Sequence, residues 1–135
     1  MKLLIWHVDY VKWNVKSKAI KNLDVKIGEK EGYVENCALI FTCVEEGDLN
    51  KLNRVMPDLT NHLERIGVKT IVLYPYVHLF PEKLAKINEA IEVIKKLKEF
   101  LENKGYKVIL VAFGYYKEFE LKCKGHPLAE SSRRY

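Results

Sequence analysis

The chain is predicted to fold as a single α/β (α+β) domain spanning residues 1–135, a mixed β-sheet with two main helices packed on it, and three patterns carry that prediction. Two stretches repeat apolar residues at helical spacing and end at glycine. Short apolar runs precede and separate them, as in buried central strands. Near each end of the chain, apolar and polar residues alternate strictly, as in half-exposed strands.

Element by element, Lys2-Leu-Leu-Ile-Trp-His-Val-Asp9 reads as a largely buried strand. Val11-Lys-Trp-Asn-Val-Lys16 alternates, so the two segments are expected to form a hairpin or bent pair. A lysine-rich polar stretch from Ser17 to Gly32 follows, and Cys37-Ala-Leu-Ile-Phe-Thr-Cys-Val44, apolar on both faces, is predicted to lie centrally in the sheet. Asp48 is placed to N-cap a helix with apolar residues at Leu49, Leu52, Val55, Met56, Leu59, Leu63 and Ile66 and a stop at Gly67. Pro57 is expected to kink or divide it. Lys69 to Tyr74 is another buried strand. Leu84, Ile87, Ile91, Ile94, Leu97 and Leu101 define a longer helix closed by Gly105. Strands at Tyr106 to Ala112 and Tyr116 to Cys123 complete the order ββ(loop)β-α-β-α-β-β.

Composition narrows the function classes. Nearly half the residues are apolar, which supports one packed core. No apolar run approaches the roughly 20 residues needed to cross a bilayer, and the first nine residues are too short for a signal peptide, so no membrane partner and a cytoplasmic location are expected. Three cysteines, Cys37, Cys43 and Cys123, form no CxxC and argue against a disulfide scaffold or zinc site. The net charge of +5 suits a phosphate-bearing partner without requiring one. No P-loop, GxGxxG, GxSxG or HExxH motif occurs.

The residue that most needs a reason is Lys117. By parity it belongs with Phe119, Leu121 and Cys123, opposite Glu118, Glu120, Lys122 and Lys124. An inward ammonium must either snorkel out or be held for chemistry, because burying it without partners is costly. His78 follows a buried strand, where α/β folds present reactive groups; packing against Tyr74 or Tyr76 would explain it equally. Phe113-Gly114 makes a turn before Tyr115-Tyr116-Lys117 and Gly125-His126-Pro127 makes another, with His126 and Glu130 four apart in an expected helical turn. There they would form an acid/base pair or be simply exposed. Cys37, Cys43 and Cys123 read as core thiols.

Together, Asp9-Tyr10, Tyr74-Pro-Tyr-Val-His-Leu79, Phe113-Gly-Tyr-Tyr-Lys117 and Cys123-Lys-Gly-His-Pro-Leu-Ala-Glu130 resemble the N-terminal editing domain of archaeal threonyl-tRNA synthetases over nearly the whole chain. The resemblance implies the D-aminoacyl-tRNA deacylase-like fold and hydrolysis of serine wrongly esterified to threonine tRNA. It implies no cofactor for editing, ATP and zinc belonging only to the synthetic part of a full-length synthetase. Carried over by motif, the catalytic lysine is Lys117 and the active-site histidine His78. Tyr116 and Glu130 fall on substrate-pocket positions and Val44, Val77 and Phe113 on its lining, with Tyr115 and His126 beside them. Val8, Val77 and Phe80 depart from the serine, alanine and serine expected there. The implied partner is the tRNA(Thr) acceptor end carrying serine, with a homodimer through the sheet and a covalent or trans-acting synthetase catalytic module as further expectations. A general D-aminoacyl-tRNA deacylase and a non-catalytic tRNA-binding module are the alternatives.

Overall fold

In the computed structural model, which describes residues 1–24 and 26–135, six strands form one mixed sheet and two helices cover one of its faces. The strands are β1 (Lys2–Lys18), β2 (Glu31–Cys43), β3 (Thr70–Pro75), β4 (Lys107–Leu110), β5 (Tyr115–Cys123) and β6 (Glu130–Arg134). The helices are α1 (Leu52–Ile66) and α2 (Ile87–Asn103). The sheet order is β4-β3-β2-β1-β5, with β6 also paired to β1. β2, β3 and β4 run parallel, linked through the two helices, and β1 is antiparallel to β2, β5 and β6.

The expected N-terminal pair is a single strand of 17 residues. Against β5, Asp9 is an extra residue between the pairs Val8 to Cys123 and Tyr10 to Lys122. A bulge of this kind shifts the side-chain phase by one residue. Leu4, Trp6 and Val8 face away from the helices before it, and Val11 and Trp13 do so after it. That phase change is what reads in the sequence as a break between strands. The polar stretch 17–32 is correspondingly shorter: β1 runs to Lys18, β2 starts at Glu31, and Val25 lies outside the described residues.

Four further expectations are corrected. Asp48 caps no helix; it is fully buried, accepting hydrogen bonds from the Glu45 amide and the Met1 ammonium, both at 2.6 Å, and opens a 3₁₀ turn, Asp48–Lys51. Pro57 does not divide its helix: α1 runs unbroken across it. Leu84 precedes α2 and makes a β-bridge to Glu45. Glu130, expected in a helical turn with His126, instead opens the edge strand β6; Glu130-Ser-Ser-Arg-Arg134 has no apolar alternation and carries no strand signal.

The helix-side core joins Leu3, Ile5, Ile40, Ile71 and Leu73 of the sheet to Leu59 and Leu63 of α1 and Ile94 and Leu97 of α2. Each such side chain contributes about 1.5–3 kcal/mol on burial. The opposite face has no helix. It is covered by its own aromatic side chains and by β5, whose Phe119 lies over Phe41 and Tyr74 at 5.5 and 5.4 Å between ring centres.

Candidate functional site

The helix-free face opens into a cleft of about 380 Å³ between the loop after β3, the start of β5 and residues 19–20. The local sequence builds each wall. β3 ends at Pro75, which cannot donate to a sheet ladder, and Tyr76, Val77 and His78 leave along the rim. Opposite, Phe113-Gly114 turns the chain into β5. Gly114 has φ +83°, the left-handed region that favours glycine, and a Cβ there would lie 2.7 Å from a terminal methyl of Leu23, which would have to shift. Its carbonyl accepts from the amides of Ala19 (2.9 Å) and Ile20 (3.2 Å), fixing the third wall.

Lys117 points inward, in the phase its neighbours predict. Its Nζ donates to the carbonyls of Ala112 (3.0 Å) and Tyr115 (2.9 Å) and lies 5.1 Å from the centre of the Tyr74 ring. Burial lowers its ammonium from the ordinary value to about 8, and no carboxylate pairs with it among the described residues. Two of its hydrogens are committed to carbonyls. In the charged form a third N–H is left for the cleft, whereas in the neutral form a lone pair is left instead.

His78 is exposed at the mouth, packed edge-on against Tyr76 at 5.2 Å. Tyr74 and Tyr76, 6.1 Å apart, complete a run of rings from Lys117 to His78, and no hydrogen bond joins the two residues. Val77, Phe113, Tyr115 and Tyr116 also line the cleft, with Tyr116 63% exposed at its edge. Burial raises the Tyr74 phenol well above its usual range, so it stays neutral.

Val44, Glu130 and His126 are not brought to this cleft. Val44 is 6% exposed within the helix-side core, on the other face of the sheet. Glu130 pairs with Trp6 while Lys117 pairs with Val15. Nine residues of strand separate those partners, roughly 30 Å. His126 and Glu130 are split by a tight turn, in which the Ala129 amide bonds the His126 carbonyl, rather than sharing a helix.

What the sequence did not announce is a second cluster at that far end. The Leu128 amide donates to His126 Nδ1 (3.2 Å), so His126 carries its proton on Nε2 and donates to His7 Nδ1 (2.7 Å). His7 Nε2 then donates to Asn36 Oδ1 (3.3 Å), and Asn36 adopts φ +45° opposite the Asp9 bulge. Burial is the main cause lowering the His7 imidazolium. Asp9 bonds Lys124 at 2.7 Å. No signal in one sequence links positions 7, 36 and 126.

The thiols are core groups or far from the cleft. Burial pushes Cys37 up to about 12 and also raises Cys43, which lies under the Val77 carbonyl at 3.8 Å. Cys123 faces the carbonyls of His7 and Ala129. Among the described residues no three His, Cys, Asp or Glu side chains gather as a metal-binding group, and no helix is long and apolar enough to cross a membrane.

A mixed sheet with helices on one face, a bulged first strand and a cleft on the open face define a recognisable class. The fold matches the structure titled "Structural Analysis of a probable eukaryotic D-amino acid tRNA deacylase" at TM-score 0.55 and 11% identity over 98% of this chain and 97% of that one. It matches the "c-Myc DNA Unwinding Element Binding Protein" at TM-score 0.73 and 11% identity, over 100% and 99%. This is the D-aminoacyl-tRNA deacylase-like fold that the sequence motifs implied. Residues 1–135 match the archaea-specific editing domain of threonyl-tRNA synthetase, and the chain belongs to that family. It is 41% identical to the threonine–tRNA ligase of Thermococcus kodakarensis over 138 residues and 36% identical to that of Methanobrevibacter smithii over 137. Each alignment covers 98% of this chain and 22% of the relative, so the chain spans under a quarter of those proteins.

Proposed function

We propose that the cleft hydrolyses the ester of L-serine wrongly attached to tRNA(Thr), with Lys117 as the charge-stabilising catalytic group and His78 fixing the ribose or ester at the mouth. The observation that carries this reading is the inward Lys117, held by two carbonyls against Tyr74 in a chain of this family. A synthetic site for threonine rejects serine poorly, since one methyl is worth only about 1–3 kcal/mol, so a second, hydrolytic site is needed. Cleavage requires a positioned water and donors for the tetrahedral oxyanion, and a partly desolvated ammonium serves as one.

Deacylation of L-seryl-, L-threonyl- and D-aminoacyl-tRNA by the purified chain tests the proposal. The L-seryl ester should be cleaved fastest. Preference for a D-aminoacyl ester would favour the general deacylase, and no cleavage of any would leave a tRNA-binding module. A homodimer belongs to the same reading: within one chain Glu130 lies far from Lys117, so it would meet a cleft only in a second copy.

The protonation of Lys117 gives a prediction with a definite sign. With its ammonium lowered to about 8, an N–H donor is present at neutral pH and is lost above pH 8. The enzymatic rate divided by the uncatalysed rate is therefore expected to fall as pH rises through about 8. A ratio that rises there would make the lysine a base. Stability moves the other way: between pH 8 and 10.5 the unfolded chain holds the proton that the folded chain releases, so this group adds stability as pH rises through that window.

Hydrolysis is also expected to survive chelators and Cys123→Ala, because Cys123 lies six residues along β5 from Lys117, roughly 20 Å. Loss of activity in EDTA with recovery on adding zinc would replace this mechanism by a metal-assisted one. Loss in a folded Cys123→Ala variant would point to a thiol nucleophile.

A further inference from the structure

The segment bordering the third wall of the cleft carries most of the chain's uncompensated charge. Residues 16–30 hold five lysines against two carboxylates, in a chain of net charge +5. Only Lys16 finds a carboxylate, Glu118 at 3.0 Å; among the described residues Lys18, Lys21, Lys26 and Lys30 pair with none, and all four are exposed. Exposed lysines elsewhere are often neutralised, as Lys96 is by Glu92 and Lys83 by Glu46.

Three of these lysines are tied to the cleft by geometry. Lys18, the last residue of β1, pairs with Tyr115. The Lys30 ammonium sits 5.4 Å over the centre of the Tyr115 ring. Lys21 follows Ile20, which lines the cleft and is anchored by its amide to the Gly114 carbonyl. One ammonium, that of Lys30, thus lies on an aromatic ring at the edge of the cleft, and Lys18 and Lys21 are carried by backbone beside the same edge; the other walls are mostly aromatic, with Lys117 and His78 among them. Alternating cations and aromatic faces suit a single nucleic-acid strand, with phosphates on the cations and bases beside the rings.

We propose that Lys18, Lys21 and Lys30 form the track that holds the phosphates of the single-stranded 3′ end of an RNA as it enters the cleft. The proposal rests on the deacylase reading of that cleft but addresses a different part of the substrate. The lysines bind the backbone, whereas Lys117 and His78 face the ester.

The test is binding of a short single-stranded RNA with a free 3′ end, measured against salt. Each phosphate contact on a single strand contributes about 0.7 to the slope of log K against log salt. The triple variant Lys18→Ala, Lys21→Ala, Lys30→Ala should lower the slope by about 2. A control triple, Lys69→Ala, Lys95→Ala, Lys104→Ala, removes the same charge from the far end of β3 and from the α2 side, and should leave it nearly unchanged. Hydrolysis of a seryl ester of adenosine, which has no phosphate, should be equal in wild type and both triples. Equal slopes for the two triples would overturn the proposal while leaving the hydrolytic reading intact. A selective fall at Lys18, Lys21 and Lys30 with no ester hydrolysis by wild type would support the track and sink the deacylase reading. Selective loss of adenosine-ester hydrolysis in the Lys18, Lys21, Lys30 triple would place those residues in the chemistry instead and also overturn the proposal.

Discussion

Lys117→Met is expected to slow single-turnover hydrolysis of seryl-tRNA by about 10²-fold or more while the chain stays folded. Methionine keeps the length of the stem and its contact with Tyr74, so packing in the cleft is largely retained. What disappears is the ammonium. The carbonyls of Ala112 and Tyr115 lose their donor but lie beside an open cleft, where solvent can take its place. Thermal unfolding should therefore change little, and tRNA binding should be weakened far less than the rate. A variant that turns over seryl-tRNA at the wild-type rate would end the catalytic assignment of this lysine.

The inward orientation of Lys117 follows from parity alone, and the structure has it. The row Lys117, Phe119, Leu121 is local, and a strand's period of two fixes which side chains share a face whatever else surrounds them. The same holds for α1 and α2, whose apolar spacing matches the helix-side core. Where the reading failed, the missing information was non-local. The Asp9 bulge arises where β5 pairs with β1 in a particular register, and no property of Asp9 alone predicts it. β6 is a strand because β1 offers it an edge, although Glu130-Ser-Ser-Arg-Arg134 has a strand's pattern on neither face.

The site divides along the same line. Tyr76, Val77, His78 and Phe113 to Lys117 lie at the ends of elements whose order was legible, and they meet in the cleft. Val44, His126 and Glu130 were carried over from motif positions, which fix a place in the chain and not the neighbours it acquires. Val44 follows a strand buried on both faces, so sequence left its side undecided. In the structure it faces the helices.

On the proposed function, selectivity is expected to turn on this difference between Val77 and Val44. Val77 is 51% exposed in the cleft beside His78, with its carbonyl 3.8 Å from the Cys43 thiol, so its isopropyl group stands as part of the cleft wall. A seryl group is expected to fit beneath it. The extra methyl of a threonyl group would clash or push the ester from the attacking water, and about 1–3 kcal/mol of such a penalty gives roughly 10- to 200-fold preference for serine. Val77→Gly should shrink that preference chiefly by speeding threonyl cleavage, leaving the seryl rate close to wild type. Val44→Ala should do the opposite: it opens space in the helix-side core, lowering stability by about 1–3 kcal/mol, and leaves the ratio of rates unchanged. Measured on seryl- and threonyl-tRNA under single-turnover conditions, equal wild-type rates would remove the proofreading reading altogether. A ratio that responds to Val44 and not to Val77 would mean that the amino acid is read from the other face of the sheet, and the cleft beside Lys117 would lose its claim to the substrate.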